Sequence, residues 1–334
     1  MSVAAALVVH FDVSIIIVSF NTRDVLRACL ASVVEEAKPF RAEILVVENA
    51  SKDGSAEMVE REYPQVTLLR SSVNLGFGSA NNLALRQASG RYLVLLNSDA
   101  FFSPGALALA MKRMDETPEC GLGGCRLVGR DGALQPSSRC FHSVLGDAIV
   151  LSGLAAKFPK SKFFGRFDRT WANELEPASV DWVPGAFMIL RPEMLARVGE
   201  FDPDFFLYYE EVDLCLRFKK AGIPVWYWPD IVVVHIGGES SRQLKSLEFS
   251  QRAAQVVLWR MRSTLLYYRK HHGWHVHFAR WMEQALYRLT VLRNWFSTDA
   301  ERQYRKTQHL TLIALMDKAW EETSGGRVSP PRPW

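Results

Sequence analysis

The sequence predicts an α/β protein: a mostly parallel central sheet flanked by helices, followed by a C-terminal helical extension. Three observations carry this. Aliphatic, β-branched runs alternate with helical patterns between Val13 and Asn97, and right-handed crossovers turn such an alternation into a parallel sheet. Each run stops in a polar cluster, and a parallel sheet gathers such clusters along one edge, where open α/β sheets bind ligands. Beyond Ser241 the strand signals cease, and apolar residues recur at helical spacing with arginines between them.

Residues 13–18 form a β-branched run suited to a strand buried on both faces; it ends in Ser19-Phe20-Asn21-Thr22, and Leu26, Leu30 and Val33 mark the helix that follows. A second strand, 43–47, ends in Glu48-Asn49-Ala50-Ser51-Lys52-Asp53-Gly54-Ser55, a good turn sequence, before a helix to Tyr63. A third, 66–69, leads to Asn74-Leu75-Gly76-Phe77-Gly78, with a helix expected over 82–88. The fourth, 92–96, ends abruptly in Asn97-Ser98-Asp99, and Ser103-Pro104 reads as the N-cap and first residue of a helix to Asp115. A strand at 121–128 and a hairpin-type turn at Asp131-Gly132 come next. Residues 137–177 are aromatic, basic and weakly periodic, and part of them is expected to be a mobile loop over the site. The strand 180–191 is interrupted by Pro184-Gly185, which places it at a sheet edge or close to a ligand. A last strand, 223–234, ends in His235-Ile236-Gly237-Gly238. Helices are expected over 247–268 and 277–296, and a capping box at Thr298-Asp299-Ala300-Glu301 opens another to Glu322, with 323–334 disordered.

A chain of 334 residues, 48% hydrophobic and 23% charged, builds a sizeable core. It has no apolar run of the ~18 residues that a spanning helix needs, and no signal peptide is expected. The five cysteines form no CxxC pair and are odd in number, so buried thiols and a cytoplasmic location are expected. The net charge of +4 divides into −5 before Ser241 and +9 after it, with six of the ten tryptophans in the basic part. An anionic lipid surface, a phosphorylated partner, an oligomer contact or a plainly solvated face each accounts for that excess. The acidic balance of the first part disfavours nucleic acid. Gly76-Phe77-Gly78 lacks the third glycine of a dinucleotide fingerprint, since Asn81 stands there, and no P-loop sequence exists.

Chemistry concentrates in two places. Asp99 and His235 both end strands, and together they form a thin protein shell for Mg2+ or Mn2+ that water and a diphosphate would complete. Glu210, Glu211 and Asp213 open a helix after the aromatic stretch 201–209. Acids suit a helix N-terminus, but three within four residues exceed what capping needs, and crowding beside apolar rings raises a carboxyl pKa toward that of a general base.

Taken in order, the motifs IVSFN, VVENASKDGS, NLGFGSANN, LLNSD, GAFMILR, FDPDFFLYYEEVDLCLR and VVHIGG resemble those of family 2 inverting glycosyltransferases of the GT-A fold, especially the rhamnosyltransferase-like branch, over residues 13–269. The resemblance implies a nucleotide-binding part (13–125), an acceptor part (126–240) and a helical extension (241–322). It implies that Asp99 and His235 hold the metal, and that Ser19, Asn21, Glu48, Asn49, Asp53, Asn74, Gly76 and Asn97 line the donor nucleotide. Glu211 falls at the catalytic base, and Trp182, Gly185, Ala186 and Glu210 on the acceptor side. The implied partners are a nucleoside-diphosphate sugar, with rhamnose from dTDP-rhamnose the branch's frequent choice, and a saccharide or lipid-linked saccharide acceptor in polysaccharide or glycoconjugate synthesis. Three positions depart from the family pattern: Asn97, Glu48 and Glu211 each stand where an Asp is usual. A non-catalytic carbohydrate-binding relative and a sugar nucleotidyltransferase are the alternatives, the latter disfavoured because no glycine-rich, basic N-terminal loop is present.

Overall fold

The computed structural model describes residues 10–237 and 251–330, with side chains in the second stretch from Ala254 onward. Gly238, the expected helix start at Leu247 and residues 331–334 lie outside the described residues. Ten strands form one sheet in the order β3-β2-β1-β4-β9-β6-β10-β5, with β7 on β6 and β8 on β10. The first half supplies β1 (Phe11–Ser19), β2 (Ala42–Asn49), β3 (Thr67–Ser71) and β4 (Gly90–Asn97), all mutually parallel, with helices α1 (Arg23–Ala37), α2 (Ser55–Glu62) and α3 (Phe77–Leu85) between them. Then come β5 (Ala100–Phe102), α4 (Ala106–Glu116), β6 (Leu122–Val128), β7 (Leu134–Gln135), α5 (Val144–Leu151) and α6 (Leu154–Lys157). The remainder is β8 (Ala178–Val180), β9 (Phe187–Leu190), α7 (Pro192–Val198), α8 (Glu210–Lys220), β10 (Val225–His235), α9 (Gln251–His272), α10 (His275–Arg293) and α11 (Ala300–Glu322).

Side chains alternate across a strand, so each central strand feeds two apolar layers. Ile15, Ile17, Val94, Leu96 and Phe187 face the layer covered by α1, α2 and α4. Ile16, Leu93, Leu95 and Met188 face the opposite layer, with Val212 and Leu214 of α8 and Leu265 and Tyr268 of α9. The C-terminal helices therefore pack into the same core as the strands. His271 Nε2 lies 2.6 Å from the buried Asp213 Oδ1, and Ser263 Oγ donates to Leu207 O at 2.8 Å. Burial alone would raise the Asp213 carboxyl, but His271 and Arg217 hold it below the usual range.

Several elements differ from expectation. Of the two expectations for the Pro184-Gly185 strand, the sheet edge fails: β9 is central and runs antiparallel between β4 and β6. Pro184 and Gly185 precede it, so all four of its residues keep an N–H for the ladder and are buried. Helix α3 begins at Phe77 rather than Asn82 because Phe77 N bonds Phe206 O at 3.1 Å, and Asn82 exchanges hydrogen bonds with the backbone of Phe201 in both directions. Tertiary partners there outweigh the low helix propensity of glycine and asparagine. Residues 100–102 form β5 on β10, and α4 starts later than Ser103-Pro104 suggests. Its first N–H groups are satisfied by the Glu36 carboxylate of α1, at 2.8 Å from Gly105 N and 3.2 Å from Leu107 N. Asp299, not Thr298, caps α11. The segment from Thr323, expected to be disordered, is hydrogen-bonded as far as Ser329, whose Oγ donates to Asp204 O at 2.9 Å. The weakly periodic region contains α5, α6 and hydrogen-bonded turns. No helix among the described residues is long and apolar enough to cross a membrane.

Two glycines separate backbone strain from close approach. Gly76 has φ 81° and ψ −178°, a region open only to glycine, and a Cβ there would lie 2.2 Å from Phe206 O. Gly105 has φ 79° with nothing within 4 Å of the Cβ position. Gly76→Ala is expected to cost roughly 3 kcal/mol in a urea unfolding series, against about 1 kcal/mol for Gly105→Ala.

Candidate active site

The parallel ladders bring the C-terminal ends of β1, β2 and β4 to one sheet edge. Because β4 and β6 both run antiparallel to β9, and β10 runs parallel to β6, His235 ends at that same edge. The short β5 then does the joining. It pairs Ala100 with His235, Ile236 N bonds Asp99 O at 2.9 Å, and Asp99 Oδ1 comes within 3.4 Å of His235 Nε2. Gln135 of β7 clamps the histidine twice: its Nε2 donates to His235 O at 2.7 Å, and its Oε1 lies 2.9 Å from Nδ1. An amide oxygen only accepts, so Nδ1 carries a proton, and in the neutral form of the ring Nε2 would turn a lone pair toward Asp99. Gly237 keeps this corner open, since a Cβ there would meet Asp99 Oδ2 at 2.4 Å and His235 Nε2 at 2.9 Å.

A carboxylate and an imidazole lone pair converging on a space cleared of Cβ atoms fit a hard divalent cation. No group of three or more His, Cys, Asp or Glu side chains among the described residues is placed to hold a metal ion, so such an ion would draw its other ligands from bound diphosphate and water.

The remaining donor-side residues divide into two kinds. Ser19 and Ser98 are linked through Thr22 Oγ1 at 3.0 and 3.1 Å, and the Asn97 amide lies 3.5 Å from His235 Nε2. Others are engaged in turns. Asn21 bonds Ser51 and Lys52, and Glu48 Oε1 accepts from Ser51 N at 2.7 Å. Asn49 and Asn74 bond each other, and Asn74 also receives Gly76 N. Asp53 spans two helix N-termini, taking Arg23 N at 2.8 Å on one oxygen and the Ser55 N–H and hydroxyl on the other. These residues hold the turns that follow β1, β2 and β3, and Asp53 and Gly76 have structural duties of their own.

The acid pair sits across the cleft at the start of α8. Tyr208 and Tyr209 precede it with φ of 69° and 70°, a left-handed pair of non-glycine residues that only surrounding contacts hold in place. Trp259 at 4.3 Å from the Phe206 ring, and Tyr267 at 5.2 Å from the Tyr209 ring, supply them from α9. Glu210 is buried, and Oε2 of both Glu210 and Glu211 is shut off from solvent with no hydrogen-bond partner among the described residues. Burial, then the neighbouring Glu211, pushes the Glu210 carboxyl well above the usual glutamate range. Burial also raises Glu211, but Arg139 and His142 oppose it. A helix N-terminus favours an ionised carboxyl by about 2 kcal/mol at most, roughly 1.5 pKa units, whereas full burial opposes it by up to about 3–5, so desolvation wins. The two carboxyls titrate as an interacting pair, both above the usual glutamate range and Glu210 the more strongly raised.

The loop from Trp182 to Ala186 joins the two halves. Ala186 O accepts from Asn97 N at 3.1 Å, while Gly185 brings the backbone so near α8 that its Cβ position lies 3.9 Å from Glu211 Cβ. Trp182 stacks with His142 at 6.1 Å, with the Arg139 guanidinium 5.0 Å from its ring.

Residues 14–171 match glycosyl transferase family 2. The chain carries a family 2 glycosyltransferase domain. Among curated relatives, the N-acetylglucosaminyl-diphospho-decaprenol L-rhamnosyltransferase of Mycobacterium tuberculosis is 28% identical over 205 residues, covering 58% of this chain and 66% of the relative. The rhamnosyltransferase WbbL of Escherichia coli is 26% identical over 265 residues, 76% of this chain and 92% of that one. Among solved structures, the mannosyltransferase PcManGT of Pyrobaculum calidifontis, in complex with GDP-Man and Mn2+, superposes with a TM-score of 0.58 at 18% identity over 93% of this chain and 88% of that one. GalNAc-T7 with UDP, GalNAc and Mn2+ gives 0.55 at 15%, over 95% and 58%. The fold is GT-A.

The family 2 match includes Ser19 to Asp99 and ends before Glu211 and His235, which the fold returns to the same edge. Sequence reasoning missed the supports. Gln135 was partly within reach: the Asp131-Gly132 turn sends the chain back along β6, and the fold then brings the Gln135 amide to His235. His142 was not: it lies in the weakly periodic stretch, and only the fold shows its Nδ1 2.8 Å from Asp147 Oδ1 and 3.2 Å from the Tyr209 hydroxyl.

Carboxyl-13C NMR of glutamate-labelled protein, assigned with Glu210→Gln and Glu211→Gln, should show both groups titrating above the usual 4.5, Glu210 the later. Arg139→Gln removes a cation that favours the ionised form, so it moves Glu211 further upward. Two unshifted glutamates would refute the desolvated pair.

Proposed function

We propose that the chain is an inverting glycosyltransferase that moves a sugar from a nucleoside-diphosphate donor to a hydroxyl of a saccharide or lipid-linked saccharide. The donor we favour is dTDP-rhamnose, the product a step in cell-surface polysaccharide or glycoconjugate synthesis. One observation carries the reading: the Asp99–His235 corner and the desolvated Glu210–Glu211 pair lie on one sheet edge, joined by the 182–186 loop. The names of the mycobacterial and E. coli relatives support the rhamnosyl lean.

In this reading the diphosphate lies against Asp99 and His235, with Asn97 and Ser98 beside it. Mg2+ or Mn2+ held by Asp99 and His235 would offset negative charge on the leaving diphosphate. Trp182, Gly185 and Ala186 form the acceptor wall. Ionised Glu211 takes the acceptor hydroxyl proton as that oxygen bonds to the anomeric carbon and the carbon–oxygen bond to the diphosphate breaks. One displacement inverts the anomeric centre. Glu210, still protonated, is a hydrogen-bond donor beside the base rather than a second base.

The test is product formation from a panel of nucleotide sugars with a saccharide acceptor, read by NMR for anomeric configuration. An inverted product is expected, and Glu211→Gln should lower kcat by about 10³-fold; retained turnover in that variant removes Glu211 from the role. Gln135→Leu frees the His235 ring, so Mn2+ affinity measured calorimetrically should fall about tenfold or more. Unchanged affinity would separate His235 from metal binding.

A further inference from the structure

Helix α10 is apolar on two sides. Its inner row, Val276, Ala279, Tyr287 and Val291, is buried against its neighbours. Trp274, Phe278, Trp281, Leu289 and Leu292 follow one another at spacings of three, four or eight and so share the opposite face, and Phe296 lies in the turn that ends the helix. All six are exposed, Trp281 by 62%, Leu292 by 67% and Phe296 by 92%. A contiguous row of large apolar groups on a folded surface marks a docking site rather than ordinary scatter.

Charge narrows what docks. Arg288 and Arg293 are exposed on α10, and its one acid, Glu283, turns inward to Tyr287 OH. Helix α5, with Leu145 and Val150 exposed, packs on α10, and the chain after it has the same chemistry. Lys157, Lys160, Lys162 and Arg166 are exposed among the exposed rings of Phe158, Phe163 and Trp171. Lys157 lies 5.5 Å from the Phe158 ring and Lys162 5.3 Å from that of Trp171. Two copies of such a surface would oppose like charges. Anionic headgroups complement it, and tryptophan and arginine together suit the depth where headgroups meet acyl chains.

We infer that the outer face of α10, with the basic aromatic segment after α5, docks on a bilayer bearing anionic headgroups. The surface adjoins the acceptor side of the cleft, because α5 starts two residues after His142 and its Asp147 bonds both His142 and, at 2.6 Å, Tyr268. A docked enzyme would meet an acceptor presented at the membrane surface. This goes beyond the proposed reaction and does not depend on it.

The full chain is co-sedimented with phosphatidylcholine vesicles with and without about 30% phosphatidylglycerol. Binding to the anionic vesicles, weakened by salt and reduced at least tenfold by combined Trp274→Ser, Phe278→Ser, Trp281→Ser and Phe296→Ser, is expected. Combined Lys157→Gln, Lys160→Gln and Lys162→Gln, which leaves α10 intact, should remove the preference for anionic vesicles. Absence of binding at low salt, or equal binding by both variants, overturns the inference. So does a dimer in sedimentation velocity that the α10 variant dissolves while wild type ignores vesicles. The readout needs no donor or acceptor, and turnover on a water-soluble acceptor should be unchanged in both variants, so failure of docking and failure of the proposed reaction are told apart.

Discussion

The site depends on where one four-residue strand lies. β9 runs antiparallel between β4 and β6, with Leu93–Leu96 on one side and Leu122 and Gly123 on the other. That insertion makes β4 and β6 parallel across it and so carries β10 and His235 to the edge that already holds Asp99. It also sets the loop before it, whose Ala186 carbonyl receives Asn97 N while Gly185 closes on Glu211. Without β9 in the middle of the sheet, the Asp99–His235 corner and the acid pair would have no common support.

The acid pair is held against two unfavourable terms. Two left-handed tyrosines cost about 1–2 kcal/mol each, and an unpaired buried carboxyl oxygen costs more. The compensation comes from far along the chain. α9 packs Trp259 and Tyr267 on the strained turn, His271 pairs with Asp213 one turn into α8, and Lys270 bonds Asp202 and Asp204. The C-terminal helices thus hold the turn that presents the acid pair.

Much of this was legible in the sequence. Parallel strands at 13–18, 43–47 and 92–96 announced themselves by continuous β-branched or aliphatic runs, and the polar clusters after them located the edge. The resemblance to family 2 pointed to Asp99, His235, Glu210 and Glu211, which the fold brings to that edge. What escaped has physical reasons. β9 looked like an edge strand because Pro184-Gly185 was counted inside it, whereas both residues belong to the loop. α3 and β5 are short and set by partners distant in sequence, so local propensity misplaced them. Gln135, Arg139, His142 and Asp147 act through contacts that only tertiary structure creates.

The proposed reaction divides labour along one edge: Asp99 and His235 would hold the diphosphate, and Glu211 would take the proton. Calorimetric titration of dTDP, UDP and GDP with Mn2+ into wild type, Asp99→Ala and Glu211→Gln tests it most directly. The account predicts that whichever nucleotide binds wild type loses at least tenfold in affinity to Asp99→Ala and keeps its affinity for Glu211→Gln. Equal affinity in Asp99→Ala, or a parallel loss in both variants, would contradict it.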